Sequence, residues 1–124
     1  MGVFDALKAR RTVKQISGDA AEDRALQFLQ QRGLTLQERN FRCKGGEIDL
    51  IMHDRDALVF VEVRKRTDAR FGGAAASVTA RKQARLIIAA QIFLQGYKMP
   101  PACRFDVIAI DGEQIDWLKN AIDA

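Results

Sequence analysis

The stretch GGEIDLIMHDRDALVFVEVRKR, residues 45–66, sets acids among some of the most strand-prone apolar residues of the chain. A buried ionised carboxylate costs several kcal/mol unless something pairs with it or coordinates it. Residues Ile48 to His53 and Leu58 to Arg64 read as two strands joined by Asp54-Arg55-Asp56-Ala57, that is, a hairpin. Strand side chains alternate, which assigns Glu47, Asp49, Ile51 and His53 to one face and Ile48, Leu50 and Met52 to the other. In the next strand Leu58, Phe60, Glu62 and Arg64 share a face, opposite Val59, Val61 and Val63. Glu62 has no obvious water side there.

If the loop is the two residues Arg55 and Asp56, His53 pairs with Leu58, and counting back in step sets Asp49 opposite Glu62. Cross-strand Cβ atoms in that relation are about 5 Å apart. Two ionised carboxylates so placed repel unless a divalent cation sits between them, and Mg²⁺ takes one or two carboxylates while leaving its other positions to water and phosphate. Arg64 adds a cation on the same face. A loop one residue longer would shift the register and leave both acids on a solvated face.

Working outward, Ser17 offers an N-cap, and Ala21, Ala25, Leu26, Phe28 and Leu29 form an apolar stripe before Gly33, which predicts a helix from about Asp19 to Arg32. Glu22, Leu26 and Leu29 follow i, i+4, i+7 spacing, so an acid lies on the core-facing line. Leu34 to Arg42 predicts a first strand, closed by Lys44-Gly45-Gly46. Residues 66–76 read as loop, after which Ser77 or Thr79 caps a second helix to about Gln95. Arg104 to Ile110 reads as an internal strand, and Asp111-Gly112 turns into a short strand around Gln114 to Leu118. The order is α-β-β-β-α-β-β, an α/β fold. A basic arm over residues 1–15, with Lys8, Arg10, Arg11 and Lys14 and able to turn helical, precedes a single domain over 16–124.

A chain of 124 residues, 48% hydrophobic and 29% charged, buries one ordinary core without staples, and no apolar run approaches a membrane span. The N-terminal residues lack the order of a secretory signal, so the expected compartment is the cytoplasm. Cys43 and Cys103 have neither CxxC spacing nor a nearby His, which argues against zinc and redox pairing. The net charge of +4 is unevenly placed: Arg64, Lys65, Arg66, Arg70, Arg81, Lys82 and Arg85 face a single acid, Asp68, between positions 64 and 85. Such a cluster suits an anionic polymer, and Lys65, Arg66, Arg70, Arg81 and Lys82 are the nucleic-acid-binding candidates.

An Asp in one strand, Glu-x-Lys-like Glu62-Val63-Arg64 in the next and a preceding helix bearing Glu22 resemble the PD-(D/E)xK nuclease superfamily, with its restriction-endonuclease-like αβββαβ core. More closely, GDAAEDRA (18–25), GGEIDLI (45–51), VFVEVRKR (59–66), TARKQ (79–83) and RFDVIAI (104–110) resemble the YraN-type family of small bacterial proteins, similar to archaeal Holliday junction resolvases. The resemblance implies a mixed central sheet flanked by helices, with the last strand as an addition. It implies Mg²⁺ or Mn²⁺ on Asp49, Glu62 and the Val63 carbonyl, with Glu22 approaching from the first helix. It implies, further, cleavage of branched or structured DNA in repair or recombination, and action as a symmetric homodimer.

The chain departs from the superfamily at Arg64, where lysine is usual. Lysine can lose its proton when desolvated and help to make a hydroxide, whereas arginine stays protonated and can only orient water or stabilise phosphate charge. Two readings follow: a metal-dependent endonuclease with Glu22, Asp49, Glu62 and Arg64 at its centre, or a nuclease-shaped module that binds nucleic acid or a repair partner without cutting it. Lys82 is either a displaced catalytic lysine or a DNA contact. Gln83 resembles a helix glutamine of some related nucleases and equally reads as an ordinary polar residue. His53 reads as a surface residue, Asp106 as the partner of an arginine, and Gly72 and Gly73 as either a phosphate approach or plain loop.

Overall fold

The computed structural model of the chain describes residues 13–65 and 78–122. The elements, in order, are α1 (Val13–Gln31), β1 (Thr35–Cys43), β2 (Gly46–Asp54), β3 (Ala57–Lys65), α2 (Ala80–Leu94), β4 (Cys103–Asp111) and β5 (Gln114–Leu118). The five strands form one sheet in the order β1-β2-β3-β4-β5. β3 and β4 run parallel, with α2 in the connection between them, and every other neighbouring pair is antiparallel. The expected α/β fold with a mixed sheet is therefore the observed one.

Period-2 alternation gives the sheet two apolar faces, each covered by a helix. Leu58 and Phe60 of β3 and Phe105 and Val107 of β4 pack with Leu86, Ala89 and Ala90 of α2. Val59, Val61 and Val63, with Ile108 and Ile110, pack with Ala25 and Leu29 of α1. Phe93 of α2 meets Phe41 edge-on at 5.3 Å and Phe60 at 6.1 Å, which ties the first and third strands to one helix. Gly46 brings β2 against α2 more closely than a side chain permits, since a Cβ there would lie 2.2 Å from the Arg85 carbonyl oxygen.

The helix ends follow from local chemistry. Leu34 N–H donates to Leu29 O at 3.1 Å and Gly33 N–H to Gln30 O at 3.1 Å. Gly33 at φ 93° is thus the left-handed residue of a Schellman motif closing α1. Thr79, rather than Ser77, caps α2: its Oγ1 accepts from Lys82 N–H at 3.3 Å. The start of α1 differs from the expectation. The chain is already helical at Val13, so Ser17 lies inside the helix instead of capping it. An apolar stripe marks only the core-facing part of a helix, and Lys14 and Gln15, both good helix formers with no proline between, continue it backwards. The rest of the basic arm lies outside the described residues.

The β2–β3 hairpin closes as expected. Asp54 pairs with Ala57 across the two-residue loop Arg55-Asp56, His53 with Leu58, and the ladder stays in step to Leu50↔Val61. Arg55 takes φ 58°, the positive value that such tight hairpin loops require. No described helix is long and apolar enough to cross a membrane. Cys43 and Cys103 are free thiols.

Candidate functional site

The alternation expected along β2 fails at Asp49. Ile48 packs in the α2 cluster, whereas Leu50 and Met52 pack in the α1 cluster. The partner strand turns over at the same level: Phe41 packs against the α2 cluster, while Arg39 reaches Glu22 and Asp23 of α1. Between these residues stands Asn40, at φ 52°, a conformation that Asn tolerates better than most residues. Ile48, Leu50 and Met52 therefore do not share one face, because both strands invert at the Asn40/Asp49 level.

This inversion leaves Asp49 where backbone pairing between β2 and β3 has ended. The residue next in step, Glu62, would have been its ladder partner; instead Asp49 Oδ2 accepts Val63 N–H at 2.8 Å. A side chain thus takes the place of a strand carbonyl. In an extended strand a residue's N–H and C=O point to the same side, so the Val63 carbonyl also faces the end of the ladder. Asp49 feels the charge of Glu62, and Glu22 feels the charge of Asp49. Burial pushes the Asp49 carboxyl up to about 7, with the Glu62 charge as the second cause and the Val63 hydrogen bond acting against it. Burial also raises Glu62, whose side chain is 13% exposed, while Arg64 Nη1 at 3.4 Å from its Oε1 pulls the other way. Glu22, 14% exposed at the edge of the α1 core, is raised first by burial and then by Asp49, against Arg39 at 3.4 Å and a hydrogen bond from Asn40.

Beside Glu62 opens a cavity of about 320 Å³ lined by Glu47, Glu62, Arg64, Thr79, Arg81, Lys82 and Arg85. The first turns of α2 thus bring Arg81, Lys82 and Arg85 to the acids, and the Lys82 charge is felt by Glu62. Lys65, one step past Arg64 and so on the opposite face, is exposed and level with Ile110 of β4, away from the cavity. Arg66, Arg70, Gly72 and Gly73 lie outside the described residues. Gln83 donates from Nε2 to the Val78 carbonyl at 3.1 Å and so staples the start of α2. His53 contacts Gln37 of β1. Asp106, fully buried, accepts from Arg104 Nε at 3.1 Å, Trp117 Nε1 at 2.9 Å and Asn120 N–H at 2.9 Å, as a structural carboxylate should. Arg39, Asn40, Glu47 and Arg85 join the neighbourhood without having been singled out as site residues; the signals were Arg85 in the basic cluster, Glu47 on the face of Asp49 and an Asn inside a strand.

The family described as "Uncharacterised protein family UPF0102" matches residues 21–110. The chain belongs to this family, the YraN family. Among its relatives, the UPF0102 protein HEAR0176 of Herminiimonas arsenicoxydans is 70% identical over 118 residues, covering 95% of each chain. A UPF0102 protein of Janthinobacterium sp. (strain Marseille) is 68% identical, over 92% of this chain and 93% of its own. One of Ralstonia pickettii (strain 12J) is 58% identical, over 93% and 96% respectively. The UPF0102 match begins one residue before Glu22 and ends with β4, so it spans all of the acids and the α2 cations.

Two half-buried carboxylates that repel, beside a cavity walled by cations, are groups that a hard and largely hydrated divalent ion could use as ligands. Among the described residues, no group of three or more His, Cys, Asp or Glu is placed to hold a metal ion. An ion at these described residues would therefore have to be completed by water, a backbone carbonyl and a phosphate.

Proposed function

We propose that this UPF0102 protein is a metal-dependent endonuclease acting on structured or branched DNA. The observation that carries the reading is the Asp49 carboxylate, held between Glu22 and Glu62 where the β2–β3 ladder ends, at a proton affinity far above that of a free Asp. Such an arrangement costs stability unless positive charge arrives, which is what a functional acid cluster, unlike a structural one, requires. Asp49, Glu62 and the Val63 carbonyl would hold Mg²⁺ or Mn²⁺, which when bound supplies Lewis acidity to a phosphate oxygen and lowers the pKa of water.

The remaining roles belong to the chain's own side chains. Arg64 stays protonated and donates to a phosphate oxygen as negative charge grows on it. Arg81, Lys82 and Arg85 hold the flanking phosphates along the first turns of α2. Glu22, paired with Arg39, keeps a third acid near Asp49. The net reaction adds water across one P–O ester bond and leaves a phosphate monoester and a free hydroxyl. The test is incubation with Mg²⁺ or Mn²⁺ and a panel of linear, flapped and four-way DNA. Product must vanish in Asp49→Ala and Glu62→Ala; cleavage that survives both substitutions refutes the assignment.

One observation favours a second reading. Arg64 Nη1 lies 3.4 Å from Glu62, occupying with a permanent cation the place where a proton-accepting lysine would serve. In that reading the domain binds nucleic acid through the same cavity without cutting, with affinity retained in EDTA and steeply dependent on salt.

A further inference from the structure

At the opposite end of β3 from Glu62, a second cavity of about 590 Å³ opens on the α1 side of the sheet. Its walls include Arg32 just past α1, Asp54 and Arg55 at the β2–β3 turn, Arg104 of β4, Trp117 of β5 and Lys119 beyond it. Four cations meet one acid. That acid is engaged, since Arg104 Nη2 lies 3.0 Å from Asp54 Oδ2 while Arg104 Nε holds the buried Asp106. The field in the cavity is therefore positive, supplied chiefly by Arg32, Arg55 and Lys119, all exposed.

In the middle stands an indole fixed in place. Trp117 Nε1 donates to Asp106 Oδ2 at 2.9 Å, and Phe28 meets the ring edge-on at 6.4 Å. The Lys119 ammonium lies over the ring at 4.3 Å from its centroid, and the Arg32 guanidinium lies over Phe28 at 3.5 Å. An aromatic face anchored by a hydrogen bond and surrounded by cations is the combination that single-stranded nucleic acids use: base on ring, phosphates on cations. Lys119 marks the base position. Its cation–π contact at an exposed site is worth about 0.5–1 kcal/mol, and base stacking is worth about 1–3 kcal/mol. A base therefore displaces the ammonium, which is then free to meet the adjoining phosphate.

We propose that this cavity is a second site, taking a nucleotide unit of a single-stranded nucleic acid with its base on Trp117 and its phosphates on Arg55 and Lys119. The cations come from four separate segments of the chain around a cavity of about 590 Å³, room for more than one phosphate, which favours a strand over a free nucleotide. Trp117 pairs with Ile108, which is level with Val63, so the ring sits two strands from β3, about 10 Å, and on the α1 face of the sheet, whereas Glu62 lines the cavity beside α2. The site needs neither metal nor cleavage and goes beyond the reaction proposed above.

Trp117 is the chain's only tryptophan, so its emission reports directly on the site. The full chain in EDTA is titrated with short oligo(dT), with AMP, with inorganic phosphate and with polyphosphate. Oligo(dT) is expected to quench the emission saturably and with steep salt dependence, and Asp49→Asn is expected to leave that curve unchanged. Arg55→Asn combined with Lys119→Gln should weaken it about tenfold; Asn tolerates the φ of 58° at position 55, and both side chains are exposed, so the fold is preserved. Quenching by AMP as tight as by oligo(dT), or polyphosphate competing equally well, overturns the proposal. So does oligonucleotide binding that ignores the double variant and is lost in Lys82→Ala, which would leave the Glu62 cavity as the nucleic-acid site. Cleavage absent with Trp117 quenching intact removes the endonuclease reading alone.

Discussion

Replacing Asp49 by Asn removes a charge while keeping an oxygen that can accept Val63 N–H, so it isolates the electrostatic cost of the acid cluster. The folded chain holds the Asp49 proton up to about pH 7, against 3.8 for the free side chain. Between those values the native state binds more protons than the unfolded chain, so its stability falls as pH rises and the loss is complete above the folded value. A rise from 3.8 to about 7 is at most about 4 kcal/mol. Solvent at the open edge of a half-buried side chain screens part of this, and the expected gain of Asp49→Asn at pH 8 is about 1–3 kcal/mol. Below pH 4 the two proteins should be equally stable. Urea unfolding in EDTA at a series of pH values measures the difference. Adding Mg²⁺ at pH 8 should raise the midpoint of the natural protein and leave the variant unmoved. A variant no more stable at pH 8 than the natural chain, or a gain equal at every pH, would refute the reasoning.

Gly46→Ala should cost about 1–3 kcal/mol in urea unfolding, because the new methyl would sit 2.2 Å from the Arg85 carbonyl and 3.0 Å from Ala89 N, both rigid backbone of α2. If helix displacement absorbs the clash, the same variant should also weaken DNA binding, through Lys82 and Arg85. Asp106→Ala should cost about 3–5 kcal/mol, since Arg104, Trp117 Nε1 and Asn120 N–H all lose their acceptor; a change below 1 kcal/mol would mean that water replaces the carboxylate. Arg64→Lys should raise cleavage at alkaline pH if proton removal limits the reaction, and an unchanged or lower rate would assign Arg64 to phosphate stabilisation.

The hairpin register was legible because it follows from one short loop: Arg55 and Asp56 close the hairpin, and His53↔Leu58 fixes the pairing back to Leu50↔Val61. Glu22 was legible through helical spacing alone, a carboxylate in line with Leu26 and Leu29. The inversion at Asn40 and Asp49 was not. Alternation assumes a regular strand, and the break depends on a positive φ in one strand and on which helix each half meets, neither of which is a local property of β2. The extent of α1 escaped for the opposite reason, since its early residues carry propensity without a pattern. The Trp117 cavity was invisible because Arg32, Arg55, Arg104 and Lys119 come from four distant segments, and nothing in their spacing announces that they meet.

The Asp49–Val63 hydrogen bond makes one main-chain amide a built-in gauge of the acid cluster. An ionised carboxylate draws that amide proton more strongly than a neutral one, so the Val63 resonance should move downfield as Asp49 ionises. Should a cation arrive and claim the same oxygen, the shift should reverse and solvent exchange at this single position quicken. The occupancy of the site can thus be followed in solution from a residue whose own side chain is buried.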